Sequence, residues 1–381
     1  MRQETMSSDE RVDAAYAYPL EKPDRVPIVP LILDCALATL AGYTQAQMAT
    51  DLDFGRKALI KVFEDFGGWD AVYTAQCMAW DQLTGFFPVK LRIPGIDVPD
   101  NYVLQVAEEE VLKVEDYDKI IEIGWDKFYF DEYLDRICTL PPDVRSAFPK
   151  MLEKYLTGCE EFKAQKGIQN AHGGGAFTPF FLFSLTRSLT KFTEDLYYRQ
   201  EIVERVCQRF TDDTIAKWVP LVKQSGLKRF FYVDERASAF FYPPAVTERF
   251  FWPYAQQLVD AMWSEGIVTI FHLDANWDKN IPDFRKKLPK GSYNLHLDST
   301  TDIFAAKEVL RGHGGIQGDV PPALFVLGDP EDIKSYVKRL IDECADDGGF
   351  VLNAGCSVPP DAKPENFRAF IDTAKTYELS K

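Results

Sequence analysis

Polar side chains able to bind metal or move protons stand at the ends of short apolar runs along this chain. Asp34 follows VPIVPLIL, His172 follows IQNA, and Asp234-Glu235 follows FFYV. Further on come His272-x-Asp274 after IVTIF, His296-x-Asp298 in YNLHLD, Asp319 in GIQGD, and Cys356 after FVLNAG. An apolar run that stops at such a residue reads as a buried strand presenting a reactive group at its rim. Imidazole, carboxylate and thiolate are ordinary ligands of Zn2+, and three protein ligands leave one position open for catalysis. His272, Glu235 and Cys356 form such a set, with Asp274 able to replace Glu235 or join it. The other positions also have plainer readings. His172, before Gly173-Gly174-Gly175, reads as a hydrogen-bonded turn residue. Asp298 opens a stretch to Asp302 with the composition of a helix N-cap region, and Asp319 precedes Val-Pro-Pro and could fix that turn. His296 alternates with Leu295 and Leu297 and so points opposite to them, either inward or onto the helices.

Holding so many groups at strand ends calls for a parallel sheet. Strand candidates begin near Val26, Ala71, Ile168, Phe230, Val268, Tyr293, Gly315 and Phe350. Between the later ones lie helical patterns at Pro244–Ser264, Ile281–Leu288, Asp302–Leu310 and Glu331–Asp346, and Pro364–Tyr377 closes the chain. Strands alternating with helices imply a parallel sheet, and eight of them imply an α/β fold of the (β/α)8 TIM-barrel type, with active groups at the C-terminal strand ends. A doubly wound open sheet is the alternative, but no G-x-G-x-x-G follows the first strand. Gly173–Gly175 lacks the Lys-Ser/Thr of a phosphate loop and reads as a tight turn. The expected organisation is one barrel domain over residues 1–381, with residues 1–160 less regular: a hairpin-like excursion after Phe86 and a helix over Val144–Lys166.

The bulk composition narrows the partners. A formal net charge of -16 argues against nucleic acid and anionic membrane surfaces, which both need basic patches. No apolar run approaches the roughly 20 residues of a membrane span, and the polar start MRQETMSSDERVDAAY is unlike a signal peptide. Seven cysteines without paired spacing fit reduced thiols in a cytoplasm. These features leave room for a homodimer.

From Phe230 onward the chain resembles the uroporphyrinogen decarboxylase superfamily. The resemblance is carried by YVDERASAFFYPPAVTERFFWPY, FHLDAN, LHLDSTTDIFAAKEVL, GIQGDVPPALFVLGDPEDI and VLNAGCSVPPDAKPENFRAF. It implies a (β/α)8 barrel and one of two chemistries. The decarboxylase branch uses an arginine-bearing segment after the first strand; here that position reads LILDCALATLAGYTQ, and the carboxylate of Asp34 would repel a polycarboxylated substrate. The corrinoid-dependent methyltransferase branch binds zinc through His-x-Cys at one strand end and a Cys at the last strand. His272 and Cys356 match two of these positions, while the third is Asp274. The resemblance therefore implies Zn2+ on His272, Cys356 and a carboxylate, with Glu235 favoured over Asp274. It also implies a partner corrinoid protein whose cobalamin accepts a methyl group from a small-molecule donor. A carboxylate ligand makes the metal a harder Lewis acid, suited to pulling on an ether oxygen, so the expected reaction is O-demethylation of a methoxylated, aromatic donor. Asp34, His172 and Asp298 would orient the donor or supply a proton to its oxygen. Phe177, Phe180, Phe181, Phe183, Phe240, Phe241 and Tyr242 follow the proposed strand ends and could face an aromatic ring. Methylcobalamin:thiol methyl transfer and a decarboxylase-like lyase are the alternatives.

Overall fold

The structure, a computed structural model, describes residues 5–73 and 78–377. Its strands are β1 (Ala71–Val72), β2 (Lys90–Arg92), β3 (Gln105–Ala107), β4 (Gln169–Asn170), β5 (Gly175–Phe177), β6 (Arg229–Asp234), β7 (Val268–Leu273), β8 (Tyr293–Leu297), β9 (Gly315–Val320) and β10 (Phe350–Ala354). From β5 to β10 they form one parallel sheet in chain order, and β1 pairs in parallel with β4. Backbone hydrogen bonds carry the ring on from there. The chain between β4 and β5 bonds to β6 through Gly173 N to Arg229 O and Phe231 N to Gly174 O, each 2.9 Å. Ile28 bridges Leu352 of β10, and its carbonyl accepts Asp70 N at 2.8 Å just before β1. Segment 27–29, β1, β4–β5 and β6 to β10 are thus the eight staves of a TIM barrel.

The irregular staves have local causes. Pro27 and Pro30 lack N–H groups, so the first stave pairs at Ile28 alone, and Leu31 N turns to the side chain of Asn353 at 2.7 Å. The stave expected to end at His172 instead runs on through the three glycines to Phe177. These glycines are not a turn: a Cβ on Gly174 would lie 2.5 Å from the ring of Trp218, on the helix Gln200–Ser225 that packs behind. The single helix expected over Pro244–Ser264 is two, Pro244–Phe250 and Trp252–Ser264, because Pro253 cannot donate back across the junction. Thr74, the expected end of the second strand, lies outside the described residues.

The N-terminal end of the barrel is plugged by the helix Ser8–Tyr16. Its Tyr16 hydroxyl donates to Gln317 in the interior, and the Arg229 guanidinium sits over the Tyr16 ring at 5.4 Å. Buried Asp70 pins this plug by accepting from Arg11 and Arg25, at 2.7 and 2.6 Å. β2 and β3 form an antiparallel hairpin, and the helices between Asp116 and Ile137 pack their Tyr117 and Trp125 rings on Phe183 and Phe210. One continuous buried cluster runs from Val12 to Ala374. Among the described residues no helix is long and apolar enough to cross a membrane. With one end plugged, access to the barrel interior is from the C-terminal strand ends, where the polar residues lie.

Candidate metal centre

β7 is buried along its whole length, so its two faces share the apolar burden. Phe271 packs outward on Phe284 of the helix Ile281–Lys287, at 5.3 Å between ring centres, and His272 on the opposite face enters the barrel. His272 stands in register with His296 of β8. Their Nδ1 atoms are 2.9 Å apart, and His296 Nε2 lies 2.9 Å from the carbonyl oxygen of Ala354 at the end of β10. Burial holds His272 down at about 4 and, with help from its neighbour, His296 at about 3, so both imidazoles are neutral at pH 7.

Two loops bring the other ligand atoms to His272 Nε2. Beyond β10 the chain passes close over the β8 loop: a Cβ on Gly355 would meet Ser299 N at 3.0 Å, so any larger residue there would push the two loops apart, and Cys356 follows. Its Sγ is 3.9 Å from His272 Nε2 and 3.2 Å from Asp274 Oδ2. Asp274 Oδ1 is 3.3 Å from His272 Nε2. Asp274 leads into Ala275, whose φ of +68° is a conformation that costs an L residue about 1–2 kcal/mol. Asp298 holds that conformation: its Oδ2 accepts Ala275 N at 2.8 Å, while Oδ1 accepts Thr300 N at 2.9 Å and Thr300 Oγ1 at 2.7 Å. The helix that follows is capped by Asp302, not Asp298. Asp298 therefore clamps the loop that carries Asp274.

The ligand atoms of His272, Asp274 and Cys356 all lie within 4.8 Å of one another. This donor set suits a cation on the evidence of the side chains themselves. Asp274 Oδ1 is buried without a hydrogen-bond partner, facing the nitrogen of a neutral imidazole. Burial raises the Asp274 carboxyl, and burial together with Asp274 pushes the Cys356 thiol well above its ordinary value. Burial and then Asp274 push Glu235 up to about 8. A divalent ion among these groups would offset their mutual repulsion, and nitrogen, oxygen and sulfur donors in one set are normal for Zn2+.

Residues 135–377 match the family model described as uroporphyrinogen decarboxylase (URO-D). The chain belongs to the uroporphyrinogen decarboxylase family. Among curated relatives, a uroporphyrinogen decarboxylase of Syntrophotalea carbinolica is 25% identical over 46% of this chain and 49% of its own length. The methylcobamide:CoM methyltransferase MtbA of Methanosarcina acetivorans is 23% identical over 48% of this chain and 52% of its own. The chain thus spans about half the length of the curated relatives it matches, and it is related to decarboxylases and methyltransferases alike. A solved methyltransferase from Methanosarcina mazei superposes with a TM-score of 0.68 over 97% of this chain and 98% of its own, at 17% identity, showing the shared barrel.

Around the centre of this family member, the remaining polar residues divide by what they touch. Glu235 is half-buried and electrostatically coupled to Asp274 and Cys356, but it is not part of the close donor group. Its neighbour Asp234 is committed to its own turn, accepting Ala237 N at 2.7 Å and Arg236 N at 2.9 Å. His172 stacks on Phe231 at 5.1 Å, and Phe231 in turn lies 5.4 Å from His272, so one ring separates the two histidines. Asp34 opens the helix Asp34–Ala41, buried, and burial pushes it up to about 6. Asp319 accepts the Tyr336 hydroxyl at 2.8 Å and is pushed up to about 8, again chiefly by burial. Of the aromatic residues, Phe180 and Phe183 pack outward on Phe192 and Phe210, whereas Phe240 and Phe241 are exposed, 68% and 38%. His296 was absent from the ligand and catalytic sets drawn from sequence. Its signal was the alternation of YNLHL, which fixes a side but not which side is inward.

Proposed function

We propose that this protein is a zinc-dependent methyltransferase that demethylates a methoxylated aromatic donor and passes the methyl group to the cob(I)alamin of a corrinoid protein. The observation that carries the reading is Asp274, an aspartate inside the His272–Cys356 donor group where the methyltransferase pattern resembled by this sequence has a cysteine. His272, Asp274 and Cys356 would hold the ion, with Glu235 nearby. When bound, zinc supplies Lewis acidity, and a carboxylate in place of a thiolate makes it a harder acid, matched to an ether oxygen.

The chain's own residues prepare that chemistry. Asp298 holds the Asp274 loop, and Phe231 walls one side of His272 against water. Asp34 Oδ1 and His172 Nδ1 are buried polar atoms without partners among the described residues, available to orient a donor or to exchange a proton with its oxygen. In the transfer the carbon–oxygen bond breaks, its electron pair stays on oxygen, and the methyl group leaves for the cobalt. Asp34, raised by burial only to about 6, is still largely ionised at pH 7, and its charge repels a polycarboxylate, which disfavours decarboxylation of such a substrate.

The test is a spectroscopic assay with cob(I)alamin and a panel of methoxybenzenes, following conversion to methylcob(III)alamin. Transfer that is lost in His272→Ala, in a protein that remains folded, supports the proposal. A methyl thioether formed from methylcobalamin and a free thiol, with ethers ignored, would instead establish the thiol methyltransferase reading that the MtbA relatives suggest. Chelator-resistant release of CO2 from a polycarboxylated tetrapyrrole would establish the lyase.

A further inference from the structure

We propose that His296 is a positioning residue that sets the tautomer of His272, through a hydrogen-bond relay running from the Ala354 carbonyl to the ring nitrogen that would meet the metal. This rests on the metal reading of the His272–Asp274–Cys356 group. The relay follows from donor and acceptor chemistry. A carbonyl oxygen only accepts, so His296 Nε2, 2.9 Å from Ala354 O, carries the hydrogen. In a neutral ring Nδ1 is then a bare acceptor. It lies 2.9 Å from His272 Nδ1, which must therefore be the donor, and His272 Nε2 is left with its lone pair. That lone pair faces Asp274 Oδ1 and Cys356 Sγ.

The relay matters because a rival arrangement exists. Asp274 Oδ1, 3.3 Å from His272 Nε2 and otherwise without a partner, would draw the imidazole hydrogen onto Nε2. A hydrogen there would occupy the position a metal needs. The acceptor on His296 offers the hydrogen a partner on the other side and keeps Nε2 free. The geometry is well determined for this task. His296 is fully buried, it sits in register with His272 across β7 and β8, and Ala354 ends the strand that delivers Cys356 two residues later. The stave that supplies the thiol thus also anchors the tautomer. Outer partners of this kind typically change metal affinity 10–100-fold when removed.

Two measurements on the full chain test this. The first is nitrogen-resolved NMR of the imidazoles in metal-free wild-type protein. The expected spectrum has His272 protonated on Nδ1 and bare on Nε2, with the reverse in His296. A His272 ring protonated on Nε2 would overturn the relay. The second is zinc affinity by competition with a chromophoric chelator. His296→Leu should weaken zinc about 10–100-fold and move the His272 hydrogen to Nε2. His296→Asn, whose amide oxygen can accept in place of Nδ1, should recover most of that loss. Folded His296→Leu binding zinc as tightly as wild type would overturn the relay, and so would an Asn variant no better than Leu. Should the Leu variant fail to fold, the wild-type spectrum and the Asn variant still decide. A wild-type protein that binds no zinc would sink the metal reading instead, with the spectrum judging the relay separately.

Discussion

Zinc binding to this protein should release protons, and Cys356 should be their main source. In the metal-free site the thiol is held protonated by burial and by Asp274, to which it donates at 3.2 Å. Metal binds the thiolate, so one proton must leave for each ion bound anywhere between pH 6 and 8. His272 adds nothing to this count, because burial keeps its ring neutral above about 4. One displaced proton makes the dissociation constant fall about tenfold per pH unit, equivalent to about 1.4 kcal/mol. Glu235, raised to about 8, is protonated over much of the same range and would lose part of its proton to the field of the ion, so the slope should exceed one below pH 8. Calorimetric titration with zinc at pH 6.5 and 7.5, each in two buffers of different ionisation enthalpy, reads the number directly. In Cys356→Ala the release should drop by about one proton and the affinity should fall with it. Zinc binding without proton release, or undiminished release from Cys356→Ala, would refute this account of the site.

Three other outcomes follow from the packing. Asp34 is raised from 3.8 to about 6 by burial, so its ionised form opposes folding by about 3 kcal/mol at pH 7, a penalty that vanishes as pH falls below about 4. Asp34→Asn should therefore raise the urea-unfolding free energy at pH 7 and leave it almost unchanged at pH 4; an equal gain at both would remove burial as the cause. Asp298→Ala, which deletes three accepted hydrogen bonds, should cost about 1–3 kcal/mol and weaken zinc about tenfold, whereas Asp302→Ala should cost about 1 kcal/mol through its helix cap with zinc affinity intact. Gly174→Ala drives a methyl group against Trp218 and should cost about 1–3 kcal/mol by thermal unfolding, with partial relief from a smaller residue at position 218.

What was legible in the sequence was the alternation of strands and helices from Phe230 onward, and with it the barrel. Those strands are buried along their length, so β6 and β7 read as apolar runs and β8 as an alternation, and helical patterns follow them. The halting polar residues were legible for the same reason, since an apolar run that ends on His272 or just before Cys356 marks a strand tip. The early staves were harder to read. Two prolines reduce the first to one bridge, and the stave through Gly173–Gly175 looks like a turn until Trp218 is seen against it. Three features of the site were decided by tertiary structure alone. Period-two alternation tells which residues share a face, but only neighbouring strands decide which face is inside, and that is how His296 came to touch His272. Glu235 and Asp274 are chemically equivalent in the sequence; what places Asp274 in the donor group is the left-handed turn at Ala275, held by Asp298 from the next loop. Cys356 reaches them because Gly355 lets one loop pass over another. Each of these contacts joins residues on separate staves, and a linear chain carries no record of the distance between them until the barrel closes.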